Sequence, residues 1–293
     1  MKKYLLIILA MVLIFTYAKS RKPAKTINIT LKQPIAKENT AEEVQSFIIS
    51  GFSEDGQTRW QVVGESADIF SETVDMRTIE ATSHSKEASV VLTAEEGTFF
   101  KSSKDVELRK HVIANTDEGT TLTTDKLKWL AETETIVTDD YVHIKRGDIV
   151  ITGKGAKAAP RMKKVQLDED VKMIIYPTSG TKAHGSESIT VITCDGPLET
   201  DYKNNISYFY KNVVIEDKEG KIFADKLVAY IDPEKKVIRK AEAFGNVKIV
   251  NKHNISYSEK AVYLANEGRV ILAGKPKVVI YSADQLSAEK GNL

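Results

Sequence analysis

The chain has 293 residues, enough for one large domain or two modest ones, each with a core of its own. Its 42 basic and 41 acidic side chains nearly cancel, which disfavours nucleic acid as a partner, because such binders carry a basic surplus that displaces counterions. The lone cysteine, Cys194, excludes an intramolecular disulfide and a thiolate metal cage, so sheet pairing and apolar burial must supply the stability.

The chain opens with Lys2 and Lys3, an apolar run from Tyr4 to Ala18, and then Lys19, Arg21 and Lys22. A run of about fifteen residues is shorter than the ~20 of a comfortable span and fits a signal-peptide core on length. Against cleavage, Thr16-Tyr17-Ala18 is a mediocre peptidase site, and flanking lysines can snorkel to let a short helix span. Segment 1–18 therefore reads as a transmembrane anchor, with a cleaved signal as the alternative; either way the body leaves the cytoplasm. Residues 19–43 are polar, contain Pro23 and Pro34, and read as a linker.

From Val44 onward, short runs alternate polar and apolar residues with the period of a half-buried strand. Strands are expected at 89–93, 105–108, 122–130, 135–137, 141–145, 149–152, 164–167 and 171–176. Turns are expected at Glu118-Gly119, Arg146-Gly147-Asp148 and Asp168-Glu169-Asp170. A break rich in Ser, Gly, Thr and Lys over 177–187 suggests a boundary. Further strands follow at 189–193, 208–216, 221–231, 236–239, 246–250, 261–264, 270–272 and 277–281. The segment 41–47 is at most a helical turn. Strand follows strand without a helix of crossover length, so the body is all-β and antiparallel.

One phrase occurs twice. Val112-Ile113, Glu118-Gly119 and Thr124-Asp125-Lys126-Leu127 return about one hundred residues later as Val213-Val214, Glu219-Gly220 and Ala224-Asp225-Lys226-Leu227. Repetition at a fixed spacing marks an architecture of units that bury apolar faces against neighbours. A shorter beat of valines, at 112, 142 and 171 and again at 213, 247 and 278, is expected to open a strand each time.

In the first half, the residues 47–52, Trp60, Ala67, Val91-Leu92-Thr93-Ala94, Gly97, Val106-Glu107-Leu108, Leu122-Thr123-Thr124-Asp125, Thr138-Asp139 and Gly153-Lys154-Gly155-Ala156 are similar to the LptC family. Its members are membrane-anchored components of lipopolysaccharide export. The second half resembles the OstA/LptA-like periplasmic module in Cys194-Asp195-Gly196-Pro197-Leu198, Ala224-Asp225-Lys226-Leu227, Gly245-Asn246-Val247, Gly268-Arg269-Val270 and Leu272-Ala273-Gly274-Lys275-Pro276. A minimal LptC-like protein would stop near Tyr176, so this chain appends a module of about a hundred residues.

The resemblance implies two stacked V-shaped antiparallel β-jellyroll modules, at 44–176 and 188–285, behind an N-terminal transmembrane helix, with a tail at 286–293. It implies a single-pass inner-membrane protein with its body in the periplasm. The partners it implies are lipopolysaccharide, the permease subunits of an inner-membrane ABC transporter, and a periplasmic bridge protein of LptA type. The chain has no nucleotide-binding motif, so energy would come from the partner, and no cofactor is expected. Lipid would lie on inward apolar positions: Trp60, Val106, Leu108, Leu127, Trp129, Val142, Ile144, Val171, Met173 and Ile175 in the first module, with Val213, Ile215, Leu227, Val247, Ile249, Val278 and Ile280 in the second. Exposing an acyl chain to water costs about 0.8 kcal/mol per methylene, so a continuous apolar groove removes a barrier of tens of kcal/mol. Unpaired strand edges at 44–60 and 270–281 would dock the transporter and the next bridge subunit by strand addition.

Other signals read as ordinary. His84, His111, His143, His184 and His253 have no metal-ligand spacing and read as surface residues. Gly153-Lys154-Gly155 lacks phosphate-loop spacing and reads as a turn. Asp139-Asp140 and Asp168-Glu169-Asp170 sit where turns place acids, not as paired catalytic carboxylates or a calcium site. The sequons at Asn28, Asn205 and Asn254 arise readily by chance. Cys194 reads as a small core residue and Trp60 and Trp129 as β-core residues. Two rival readings are a structural β-repeat scaffold or adhesin-type protein, and a carbohydrate-active enzyme, for which the alternation supplies no converging carboxylates.

Overall fold

The computed structural model describes residues 42–52, 59–84, 89–117, 119–133, 135–159, 164–177, 189–232, 238–252, 254–265 and 267–280. The readings of 1–18, of 19–43 apart from its last two residues, of 177–187 beyond Pro177, and of 286–293 lie outside them. Among the described residues every regular element is a strand. Chain contacts divide them into two units: one takes in residues up to Gly147, Ile151–Asp168 and Asp201–Lys203, the other Asp148–Val150, Glu169–Thr200 and the residues from Asn204 on.

In the first unit β1 (Glu42–Phe52), β2 (Arg59–Ile69), β3 (Thr73–His84), β4 (Ser89–Phe100), β5 (Val106–Thr116), β6 (Thr120–Leu130) and β7 (Thr135–Arg146) form an antiparallel meander, each paired with the next. β8 (Ile149–Ala159) and β9 (Lys164–Ile175) follow. In the second unit the end of β9 pairs with β10 (Thr190–Cys194), which also pairs with β12 (Ile206–Glu216). β11 (Leu198–Asp201) lies between them in sequence. The meander continues through β13 (Lys221–Ile231), β14 (Ile238–Asn251) and β15 (Asn254–Leu264), and β16 (Arg269–Ala273) and β17 (Lys277–Ile280) each pair with one end of β15.

The long strands turn a corner at a bulge. Between the pairs Leu108–Leu127 and Val112–Thr124, the three residues 109–111 of β5 oppose the two residues 125–126 of β6. Between Phe209–Leu227 and Val213–Ala224, the three residues 210–212 of β12 oppose 225–226 of β13 in the same way. An unequal count bends the strands and sharpens the local twist. The three-residue side adopts left-handed backbone at Lys110 (φ 63°), His111 (50°), Lys211 (64°) and Asn212 (51°), which costs of order 1–3 kcal/mol per residue. Acids across the corner offset this by holding three of these residues: His111 Nδ1 lies 2.6 Å from Glu95 Oε1, Lys110 Nζ 2.6 Å from Glu96, and Asn212 Nδ2 donates to Asp195 at 2.5 Å. Asn246 Nδ2 donates to Asp225 at 2.9 Å in the same fashion, and Thr78 Oγ1 to Glu65 at 2.8 Å. The repeated Asp-Lys-Leu is thus the short side of a corner, and Val112, Val213 and Val247 of the valine beat are the first inward residues past the long side.

This corrects several expectations. Val112, Val142, Val171, Val213 and Val247 sit in mid-strand and do not open strands. The separate strands expected at 135–137 and 141–145, and at 164–167 and 171–176, are the single bent strands β7 and β9; the described part of 236–239, from Ile238 on, and 246–250 fall in β14. Asp139-Asp140, Gly153-Lys154-Gly155 and Asp168-Glu169-Asp170 lie inside β7, β8 and β9, not in turns, and 42–47 begins β1, not a helical turn. A bulge interrupts the alternation with the same polar, left-handed-tolerant residues that a turn uses, so the two look alike in sequence.

The corner makes a specific demand at Gly245, whose φ is +72° and whose added Cβ would lie 2.3 Å from Asp225 Oδ2. Gly245→Ala should cost about 2–3 kcal/mol in denaturant unfolding. Gly119→Ala, at a similar φ of +76° but with nothing within 4 Å, should cost about 1 kcal/mol. Equal losses would show that strain alone, without the corner packing, decides the residue.

Candidate functional site

Bending lines the inward side chains into rows that cross the strands. In the first unit one row runs Ile49, Val62, Ala81, Leu92, Ala114, Leu122 and Ile144 across β1 to β7. Beyond the corner a second runs Ile69, Val74, Phe99, Val106, Trp129 and Ile136. In the second unit the row is Met173, Ile192, Ile215, Ile222, Ile249, Ser256 and Val278. With strands ~4.8 Å apart, a row crossing seven strands is about 29 Å long.

The positions expected to face inward do so to different depths. Val106, Leu108, Leu127, Trp129 and Val142 in the first unit, and Val171, Val213, Leu227 and Val247 in the second, are at most 6 % exposed. Ile144, Met173, Ile175, Ile215 and Ile249 are half-buried, further from the corner. Val278 and Ile280, on the last strand, are 55 % and 73 % exposed. Trp60 stands in β2 opposite Ser83, and its side chain lies outside the described residues. The interior is shut upon itself, with Val90, Leu92 and Val112 fully buried. Ser83 and Thr120 are buried there too, and among the described residues their hydroxyls have no partner, each at a cost of about 1–3 kcal/mol.

Sequence reasoning missed Phe209 and Ile192 as core residues, although they are 1 % and 2 % exposed. Phe209 is hidden between Tyr208 and Tyr210, where three aromatics in succession erase the alternation. Cys194 is buried as expected, and burial pushes its thiol up despite backbone hydrogen bonds from Tyr210 and Gly196. His84 Nδ1 lies 3.0 Å from Ser89 Oγ. His111 and His143 share an open cleft of about 380 Å³ with Asp125, Tyr141 and Thr152, at the corner where β6 and β7 lose their pairing. His184 and His253 lie outside the described residues. Among the described residues no three His, Cys, Asp or Glu side chains converge as metal ligands.

The outer walls are polar and organised. In the first unit Arg109 donates to Glu107 at 3.0 Å and to Thr98 at 3.2 Å, and Lys126 lies 3.4 Å from Glu107. In the second, buried Glu242 takes Lys260 at 2.9 Å, Lys240 at 3.0 Å and the Tyr230 hydroxyl at 3.0 Å. Burial alone would push the Glu242 carboxyl up, but these three donors outweigh it and hold the pKa at about 2, below the ordinary 4.5. A depressed folded-state pKa means stability that is present above the ordinary value and lost as pH falls toward 2. Glu242→Gln should therefore cost about 3 kcal/mol at pH 7 and flatten the acid-side stability profile between pH 4.5 and 2. Urea unfolding across that range checks both, and an unchanged slope would rule out this carboxylate as the acid-sensitive group.

Two family models match the sequence. One, described as lipopolysaccharide-assembly, LptC-related, covers residues 4–176, more than half of the 293. The other, described as LptA/(LptD N-terminal domain) LPS transport protein, covers residues 191–291. No curated protein matches. Among solved structures, LptH, the LptA homologous periplasmic component of the lipopolysaccharide transport device from Pseudomonas aeruginosa, aligns at 10 % identity over 57 % of this chain and 97 % of that one, with a TM-score of 0.30. A bent antiparallel sheet with apolar inward rows suits the extent of the first match: the chain belongs to the LptC-related family of lipopolysaccharide assembly, and an LptA-like segment follows its LptC-like part.

Proposed function

We propose that this protein is a non-enzymatic periplasmic carrier of lipopolysaccharide, held at the inner membrane by segment 1–18. It receives the lipid from the permease subunits of an ABC transporter and passes it along the inner faces of modules 44–176 and 188–285 to a bridge protein of LptA type. The observation that carries this reading is the apolar rows: one is apolar on all seven strands from β1 to β7, and that of the second unit on every strand it crosses but β15, where Ser256 stands. These two rows end exposed, at Ile49 on β1 (44 %) and at Val278 on β17 (55 %). Among the described residues β1 pairs only with β2 and β17 only with β15, which leaves each an edge to add a strand from a partner.

Acyl chains enter this interior only if the two arms of a bent sheet part. Each large side chain uncovered loses about 1.5–3 kcal/mol of burial, which contact with an acyl chain restores. An empty interior therefore closes, and the transporter supplies the work of opening. The same closure favours a second reading, a structural β-repeat scaffold whose interior stays packed.

Photo-crosslinking separates the two. Probes at Val142 and Val247 should capture lipid during transport, whereas probes at the outward Lys145 and Lys248 should not; a scaffold gives none at any of the four. Ile215→Asn and Met173→Gln, at half-buried positions, should lower capture at Val247 several-fold with little loss of stability. Trp129→Ala should instead cost about 3–5 kcal/mol and is unsuitable as a transport test. Probes on β1 and on β17 should capture different proteins, and a single shared partner would overturn the proposed direction of transfer.

A further inference from the structure

The outer wall of the second unit departs from the first at corresponding places of the repeat. In the first unit Arg109 faces Lys126 across β5 and β6, and Glu107 binds both. One repeat later Tyr210 faces Lys226, and Tyr208 stands where Glu107 was. The lysine is retained but its company changes. The Tyr208 and Tyr210 rings stack with centroids 6.3 Å apart and planes 18° apart, and Lys226 Nζ lies 5.2 and 4.8 Å from them. Among the described residues no carboxylate stands within ion-pair distance of Lys226, whereas Lys240 and Lys260 are committed to Glu242. Glu199 acts on Tyr210 from the β11 side, so the cationic end of this platform is at Lys226.

We propose that Tyr208, Tyr210 and Lys226 form a binding site for a phosphorylated sugar, the saccharide portion of the carried lipid. The proposal rests on the transport reading only for the identity of that sugar. A pyranose ring offers an apolar C–H face to a flat aromatic surface and hydroxyls to the phenol groups, and an ammonium without a carboxylate partner meets a phosphate. The cation already over the rings stays there, its remaining donors free for the anion. Glu242 acts as a positioning residue, tying Lys240, Lys260 and Tyr230 down so that Lys226 is the cation left for a ligand. The first unit, with Glu107 and Arg109 at these positions, has its charges already paired and lacks the platform.

The test uses the full chain and a fully deacylated, phosphorylated lipopolysaccharide oligosaccharide, which has nothing to place in the apolar interior. Calorimetric titration should show saturable binding, weakened at least tenfold by K226Q or by Tyr208→Ala with Tyr210→Ala, and at least tenfold by phosphatase treatment of the sugar. Lys226→Arg should retain binding within about threefold, and Arg109→Gln should leave it unchanged. No saturable binding, equal binding of the dephosphorylated sugar, or full affinity in K226Q overturns the proposal. Preference for a cell-wall glycan fragment or an acidic peptide over the phosphorylated sugar overturns it as well. Lipid capture at Val247 should persist in Arg109→Gln; loss of capture in the unmodified chain, with sugar binding intact, would instead overturn the transport reading.

Discussion

The structure depends on one constraint, the unequal count of residues where neighbouring strands turn the corner. One residue more on one strand than on its neighbour forces a bend in each unit, between β4 and β7 in the first and between β12 and β15 in the second. Left-handed backbone at Lys110, His111, Lys211 and Asn212 is unfavourable in isolation. It persists because Lys110, His111 and Asn212 meet the acids Glu96, Glu95 and Asp195 across the corner. The acids Glu65, Glu95, Asp195 and Asp225 therefore act as fixtures of the fold, although by residue type they resemble candidates for chemistry.

From the corner follows the gradient of burial. Residues next to the bend, such as Val171, Val213 and Val247, have both arms upon them and are almost inaccessible. Residues two positions outward, such as Met173, Ile215 and Ile249, are half-covered, and Val278 on β17 has, among the described residues, a strand neighbour on one side only. Among the described residues, the lining next to the corner is covered by its own side chains. In the proposed transport this lining is exchanged for contact with an acyl chain, so stability and the proposed function draw on the same surface. This is also why the deepest positions, Trp129 and Leu92 among them, belong to folding first and why the half-buried row is the informative place to perturb transport.

The two units share the corner and differ on their outer walls. Ion pairs cover the first, with Glu107 between Arg109 and Lys126. The second sets aromatic rings beside lysines, around a carboxylate held ionised by Tyr230, Lys240 and Lys260. Glu242 is buried without being a liability, because three donors satisfy it; remove any one and the balance against burial shifts. The repeat thus preserved the geometry while the solvent-facing chemistry diverged.

Much was legible in the sequence because it depends on local patterning. Alternation of polar and apolar residues is enough to specify antiparallel strands, and the recurrence of Thr/Ala-Asp-Lys-Leu announces two similar units. The inward identity of Val106, Leu108, Leu127 and Trp129 follows from the same period of two. The family, too, was recognisable from the ordered succession of strand ends and glycines. Only the tertiary structure decided that Asp168-Glu169-Asp170 and Asp139-Asp140 lie within strands, because a bulge and a turn call for the same residues and differ in what stands on the neighbouring strand. It alone decided that the interior is closed, since closure depends on two arms meeting. It also decided that Lys226 stands over aromatic rings while Lys126 meets a carboxylate, for cross-strand partners are fixed by register and not by order along the chain.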